Sequence, residues 1–97
     1  MRYDHLLPVG SLVKVEGEEN RLMIIGFNTM DEETGRVFDY CGCFYPVGFL
    51  GPDRIANFNH SDIEIIYAVG YLDDESRAAQ AAEEETNRNA RKNAAGV

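Results

Sequence analysis

Between residues 11 and 71 the apolar positions fall in short blocks separated by turn-forming residues, and no block before residue 72 keeps the three-four spacing of a helix. The pattern predicts strands. Residues 11–16 alternate, with Val13 and Val15 on one face and Leu12, Lys14 and Glu16 on the other, as expected of a half-buried edge strand. After the polar turn Gly17-Glu18-Glu19-Asn20, residues 21–30 contain Leu22-Met23-Ile24-Ile25, apolar on both faces. That predicts a central strand covered on two sides or the wall of a small barrel. Asp31-Glu32-Glu33-Thr34-Gly35 closes the next hairpin, with Gly35 available for a left-handed conformation.

Residues 36–45 set Val37, Asp39, Cys41, Cys43 and Tyr45 on one face against Phe38, Tyr40, Gly42 and Phe44 on the other. The prolines and glycines of residues 46–52 forbid a regular ladder, and Phe49 and Leu50 there are costly to leave in water. This stretch is a loop over a barrel mouth or a contact surface. Residues 55–58 read as a short strand, and Asn59-His60-Ser61-Asp62 as a turn built by side chains that bond nearby backbone. The last strand, residues 63–71, sends Ile63, Ile65, Tyr67, Val69 and Tyr71 one way and Glu64, Ile66, Ala68 and Gly70 the other.

After Leu72 the composition changes to Asp73-Asp74-Glu75-Ser76 and then alanines, glutamates and arginines, which predicts a helix with acids at its positive end and Arg88, Arg91 and Lys92 toward its negative end. Its apolar stripe consists of alanines such as Ala78, Ala79, Ala82 and Ala90, which bury little area. Weak docking and fraying beyond about Asn89 are expected. The chain is therefore expected to be mostly β: a small SH3-like barrel or strongly bent antiparallel sheet of about five strands over residues 1–72, with a charged C-terminal helix over residues 73–97. An open meander with the helix across one face is the alternative.

A chain of 97 residues with 44% hydrophobic content has room for one core and one binding face. The net charge of −8 disfavours nucleic acid and anionic membrane as partners and suits a basic protein surface. The segment Met1-Arg2-Tyr3-Asp4-His5-Leu6-Leu7-Pro8 lacks the apolar run of roughly 7–15 residues that a secretory signal needs, and no stretch approaches the ~20 residues that span a bilayer. A soluble protein of the cytoplasm is expected, with Cys41 and Cys43 as reduced thiols, because cysteines one residue apart on a strand are poorly placed for a mutual disulfide.

Chemistry gives no stronger pattern. Cys41 and Cys43 with His60 or His5 fall short of the ligand number and spacing of a structural zinc site, the glycines of 42, 48 and 51 lack the Lys-Ser or Lys-Thr of a phosphate loop, and the acidic runs lack calcium-loop spacing. No cofactor is expected. A cysteine nucleophile has only His60 as a candidate base. The aromatic residues around the third strand are numerous for so small a domain, and tyrosine combines apolar area with a hydroxyl that tolerates water. Tyr40, Tyr45 and Phe49, with Pro46, Asn59, His60 and Tyr71, are the candidate partner-binding residues.

The blocks Leu7-Pro8-Val9-Gly10-Ser11-Leu12-Val13, Arg21-Leu22-Met23-Ile24-Ile25-Gly26, Phe38-Asp39-Tyr40, Tyr45-Pro46-Val47-Gly48, Phe58-Asn59-His60-Ser61-Asp62-Ile63 and Gly70-Tyr71 occur in that order. As a set they resemble a family of small Gram-positive bacterial proteins, the domain of unknown function 4176. The resemblance implies a cytoplasmic accessory protein associated with type VII secretion and with antibacterial toxins carrying an LXG targeting domain. A non-enzymatic chaperone or adaptor for such a toxin is the leading expectation. The alternatives are an immunity protein that neutralises a toxin and a thiol-dependent enzyme.

Overall fold

The structure, a computed structural model, describes residues 5–95, with side chains described for residues 5–89. Four strands follow one another as a meander: β1 (Leu12–Val15), β2 (Leu22–Met30), β3 (Val37–Phe44) and β4 (Ile55–Phe58). A 3-10 turn (His60–Asp62) leads into β5 (Ile63–Ala68), and α1 (Asp74–Ala95) ends the described chain. β5 returns to pair with β1, so the antiparallel sheet runs β4-β3-β2-β1-β5. Its edges do not meet. The fold is the expected mostly-β sheet with a C-terminal helix, in its open form, and a closed barrel is not formed.

The core lies on one side of the sheet. Val13 and Val15 from β1, Leu22 and Ile24 from β2, Tyr40 from β3, Phe58 from β4 and Ile63 from β5 are buried there, covered by Leu6 and Leu7 of the N-terminal segment. Each large apolar side chain so buried contributes roughly 1.5–3 kcal/mol relative to exposure. The segment is fixed by backbone as well: Gly10 N–H donates to the Ile24 carbonyl (2.8 Å) and Ile24 N–H to the Ser11 carbonyl (2.9 Å). At the β2–β3 hairpin Gly35 takes the left-handed conformation expected of it (φ +71°) and donates to the Asp31 carbonyl at 2.7 Å.

Two readings of the strands are corrected. β2 is central, but its second face has no layer over it, and Met23 and Ile25 remain partly in water. In β5 the strict alternation fails. Register shifts against β1 fall between Leu12 and Val13 and between Lys14 and Val15, so Ile63 pairs with Val15, and Ile66 with Val13, on the core side, while Ile65 is left outward. A bulge inserts one residue and so reverses the phase of everything beyond it.

The helix also docks differently from expectation. Its start carries the expected acids, with Asp74 and Glu75 in the first turn, and is capped reciprocally: Ser76 N–H donates to Asp73 Oδ1 and Asp73 N–H to Ser76 Oγ, both at 2.8 Å. Its alanines do little of the docking, for Ala78, Ala79, Ala81 and Ala82 are all exposed. Polar side chains hold it instead. The Gln80 amide donates to the Leu6 carbonyl, Leu6 N–H donates to Glu84 Oε1 at 2.7 Å, and Asn28 Nδ2 donates to Glu83 Oε2 at 2.6 Å. Asn28 sits within β2 at φ +49°, a conformation asparagine tolerates better than most residues, at the place where the helix meets the strand. α1 runs to Ala95, and the side chains of Ala90, Arg91 and Lys92 lie outside those described.

Candidate functional site

Two arrangements stand out, one polar and mostly buried, the other apolar and open. The polar one begins with Asp39 and Tyr40 on β3. Tyr40 is wholly buried, its ring stacked on Phe58 at 5.3 Å between centroids, so a hydroxyl placed there must be satisfied internally. It accepts the Leu7 N–H at 2.9 Å and lies 2.6 Å from His60 Nδ1, to which its own hydrogen can be donated. Asp39, only 4% exposed, accepts the His60 N–H at 2.8 Å on Oδ2 and the Asn87 side-chain amide of α1 on Oδ1. Asn59 Oδ1 takes the Asp39 N–H at 3.0 Å, and Asp62 Oδ2 takes the Asn59 N–H at 2.9 Å. A recess of about 190 Å³ opens between these groups and His5, Glu84 and Arg88. Asp39, His60, Asn87 and Glu84 tie the N-terminal segment, β3, the 3-10 turn and α1 to one another.

The open arrangement is the second face of the sheet. Register puts Ala68, Leu12, Met23, Cys43 and Ile55 in one row across all five strands, and places Lys14 beside Ile65 in the next. Met23, Ile25, Ile65 and Tyr67 are each between 36% and 46% exposed. At one end of the face, Arg21 carries its guanidinium over two rings, 4.8 Å from the Tyr67 centroid and 5.6 Å from that of Tyr45. Beyond Tyr45, whose peptide bond to Pro46 is cis, the loop exposes Val47, Phe49 and Leu50, with Phe49 at 60%. Cys43 is buried within that row, so the exposed apolar side chains form a group on one face of the sheet and not an unbroken band. Lone exposed apolar residues need no explanation, but several on one face do.

A family model for a domain of unknown function, DUF4176, matches residues 6–78, which takes in every strand and the first turn of α1. This chain belongs to the DUF4176 family. No curated protein and no solved structure matches it. Within this DUF4176 domain, the sequence blocks around Leu7, Tyr40 and His60 meet in the buried network, and those around Ser11 and Gly70 meet where Gly70 N–H donates to the buried Ser11 Oγ at 3.0 Å. They build the fold.

The candidate residues accordingly separate. Tyr40 belongs to the core and offers no surface, a correction that follows from its inward position opposite Phe27 and Phe58. Tyr45, Pro46 and Phe49 are exposed together at the end of β3 and in the loop after it. Asn59 and His60 are half-buried in the polar network, where His60 bonds the Tyr40 hydroxyl. Tyr71, 81% exposed, stands apart, beside a small cavity between the N-terminal segment and α1. Met23, Ile65, Tyr67 and Arg21 are the members that residue patterns missed. The one available signal was the run Leu22-Met23-Ile24-Ile25, which has apolar residues for two faces in a chain with core for one.

Cys41 and Cys43 are buried free thiols. Register sets both on the open face, Cys43 level with Met23 and Ile55, and Cys41 Sγ only 3.0 Å from where a side chain on Gly26 would begin. His60, by contrast, bonds Tyr40 on the core side. Among the described residues no helix is long and apolar enough to cross a membrane.

Proposed function

We propose that this DUF4176 protein is a cytoplasmic, non-enzymatic chaperone or adaptor that holds an LXG-type antibacterial toxin before its export by type VII secretion. The observation that carries the reading is the open sheet face with Met23, Ile25, Ile65 and Tyr67, continued by Tyr45, Pro46 and Phe49. Apolar surface in water costs about 25 cal/mol for each Å² that a partner could cover. A client that presents apolar helices recovers that free energy on both sides of the contact. By binding the export-competent state, the adaptor stabilises it through mass action and shields the client from aggregation. The net charge of −8 assists encounter with a basic client.

The test is co-expression and co-purification with an LXG toxin, using wild type and a variant that carries Ile65→Asp. Capture by wild type and loss with the variant is the expected result. Failure of the two folded proteins to associate at micromolar concentration counts against the adaptor. The acidic charge also favours a second reading, an immunity protein set against a basic toxin domain. Binding confined to the toxin's catalytic fragment, with rescue of intoxicated cells, selects that reading.

A further inference from the structure

Arg21 and Lys14 are the cations of the open face, and the fold treats them differently. Lys14 Nζ lies 3.0 Å from Glu64 Oε1 and is paired. Arg21 has no carboxylate partner among the described residues, in a chain that carries 17 acidic ones. Its guanidinium lies over the rings of Tyr67, on β5 two strands away, and Tyr45, the residue that follows β3. Two stacking contacts restrict the side chain while leaving its edge, where the N–H donors are, available. Alternation along β2 places it on the side of Met23, one residue beyond the buried Leu22.

Covering this face with an apolar segment removes water from around the guanidinium. An unpaired charge loses far more on desolvation than the neighbouring apolar contacts gain, so an occupant must bring an acceptor to that point. A carboxylate fits best, because its two oxygens match the planar donor fork and the charge-assisted bonds strengthen as water leaves. We infer that Arg21 is a carboxylate anchor: the segment that docks on the open face carries an aspartate or glutamate within an otherwise apolar stripe, seated over Arg21 between Tyr45 and Tyr67. The inference rests on the reading of this face as the client-binding surface. It adds a sign to the contact: a partner basic enough to be drawn to the acidic chain still presents an acid at this one point.

Two amphipathic helical peptides, identical except for a glutamate or a glutamine in the middle of a leucine stripe, provide the probe. Binding to the full chain is followed by amide chemical shifts. The expected result is movement of Met23, Ile65 and Tyr67 with both peptides, about tenfold tighter binding of the glutamate peptide, and loss of that preference in Arg21→Gln. Arg21→Lys, which keeps the charge without the planar fork, retains only part of it. Equal affinities for wild type, shifts confined to the His60 recess, or no shifts with either peptide overturn the anchor. The adaptor reading is judged separately: an LXG protein captured equally by wild type and Arg21→Gln leaves the adaptor standing and removes the anchor. A glutamate preference without capture of that protein does the reverse.

Discussion

The Tyr40 hydroxyl lies 2.6 Å from His60 Nδ1 and accepts the Leu7 N–H at 2.9 Å, so one buried phenol joins the N-terminal segment to the turn before β5. Tyr40→Phe keeps the ring and its stacking on Phe58 but strands the Leu7 N–H in a buried site. A loss of about 1–3 kcal/mol is expected in urea denaturation, since a buried donor without a partner costs its full desolvation. Client capture by the variant at low temperature is expected to be unchanged, because Tyr40 offers no surface. Loss of capture in a fully folded Tyr40→Phe protein would return this residue to the binding face.

Asp39 and Asn87 provide the test of how α1 is held. The carboxylate of Asp39 accepts the Asn87 side-chain amide and the His60 N–H, so it links the helix to the turn through one buried group. Asp39→Ala, Asn87→Ala and the double substitution form a cycle. A coupling of about 0.5–3 kcal/mol is expected, with the single Asp39 change the costlier because it also orphans His60 N–H. Strictly additive effects would mean that the helix does not dock through this bond.

Gly70 has no room for a side chain. A Cβ there would stand 2.2 Å from the Val9 carbonyl oxygen and 3.0 Å from its carbon, both backbone atoms that cannot swing aside. Gly70→Ala is therefore expected to cost at least the roughly 1–3 kcal/mol of an overpacked site, by displacing the N-terminal segment from the end of β5. Gly17→Ala is the control, with φ +85° but nothing within 4 Å, so only backbone strain of about 1–2 kcal/mol applies. Thermal melts that rank Gly17→Ala as the more damaging would contradict this packing.

Local chemistry was legible in the sequence where it is settled within a few residues. Gly35 closes the β2–β3 hairpin, and the acidic run after Leu72 opens the helix, because each motif carries its own determinants. The bulge between Ile24 and Gly26 and the register shifts between β1 and β5 depend on pairing between separate segments, and the latter decide which of Ile65 and Ile66 faces the core. The burial of Tyr40 is not legible, because a tyrosine hydroxyl tolerates water and the partners that satisfy it inside, Leu7 and His60, stand 33 and 20 residues away. Helix docking is hidden from the sequence for a related reason. An alanine stripe measures apolar area only, while Gln80, Glu84 and Asn87 bind backbone and side chains that no helical periodicity reveals.

Ile63 and Ile65 sit two residues apart on β5, and a regular strand would give them the same surroundings. The register shift separates them: Ile63 is 5% exposed in the core and Ile65 46% exposed on the open face. Ile63→Ser is expected to cost on the order of the 2–5 kcal/mol typical of truncating a buried isoleucine, with the added hydroxyl making it worse. Ile65→Ser is expected to stay within about 0.5 kcal/mol of wild type, as exposed positions do. For partner binding the order reverses. At a temperature where both variants are folded, Ile63→Ser retains the amphipathic glutamate peptide and Ile65→Ser loses most of its affinity, since only the latter removes apolar area from the open face. Equal destabilisation of the two variants would show that a regular strand buries both residues, and the open face would then shrink by one of its central members.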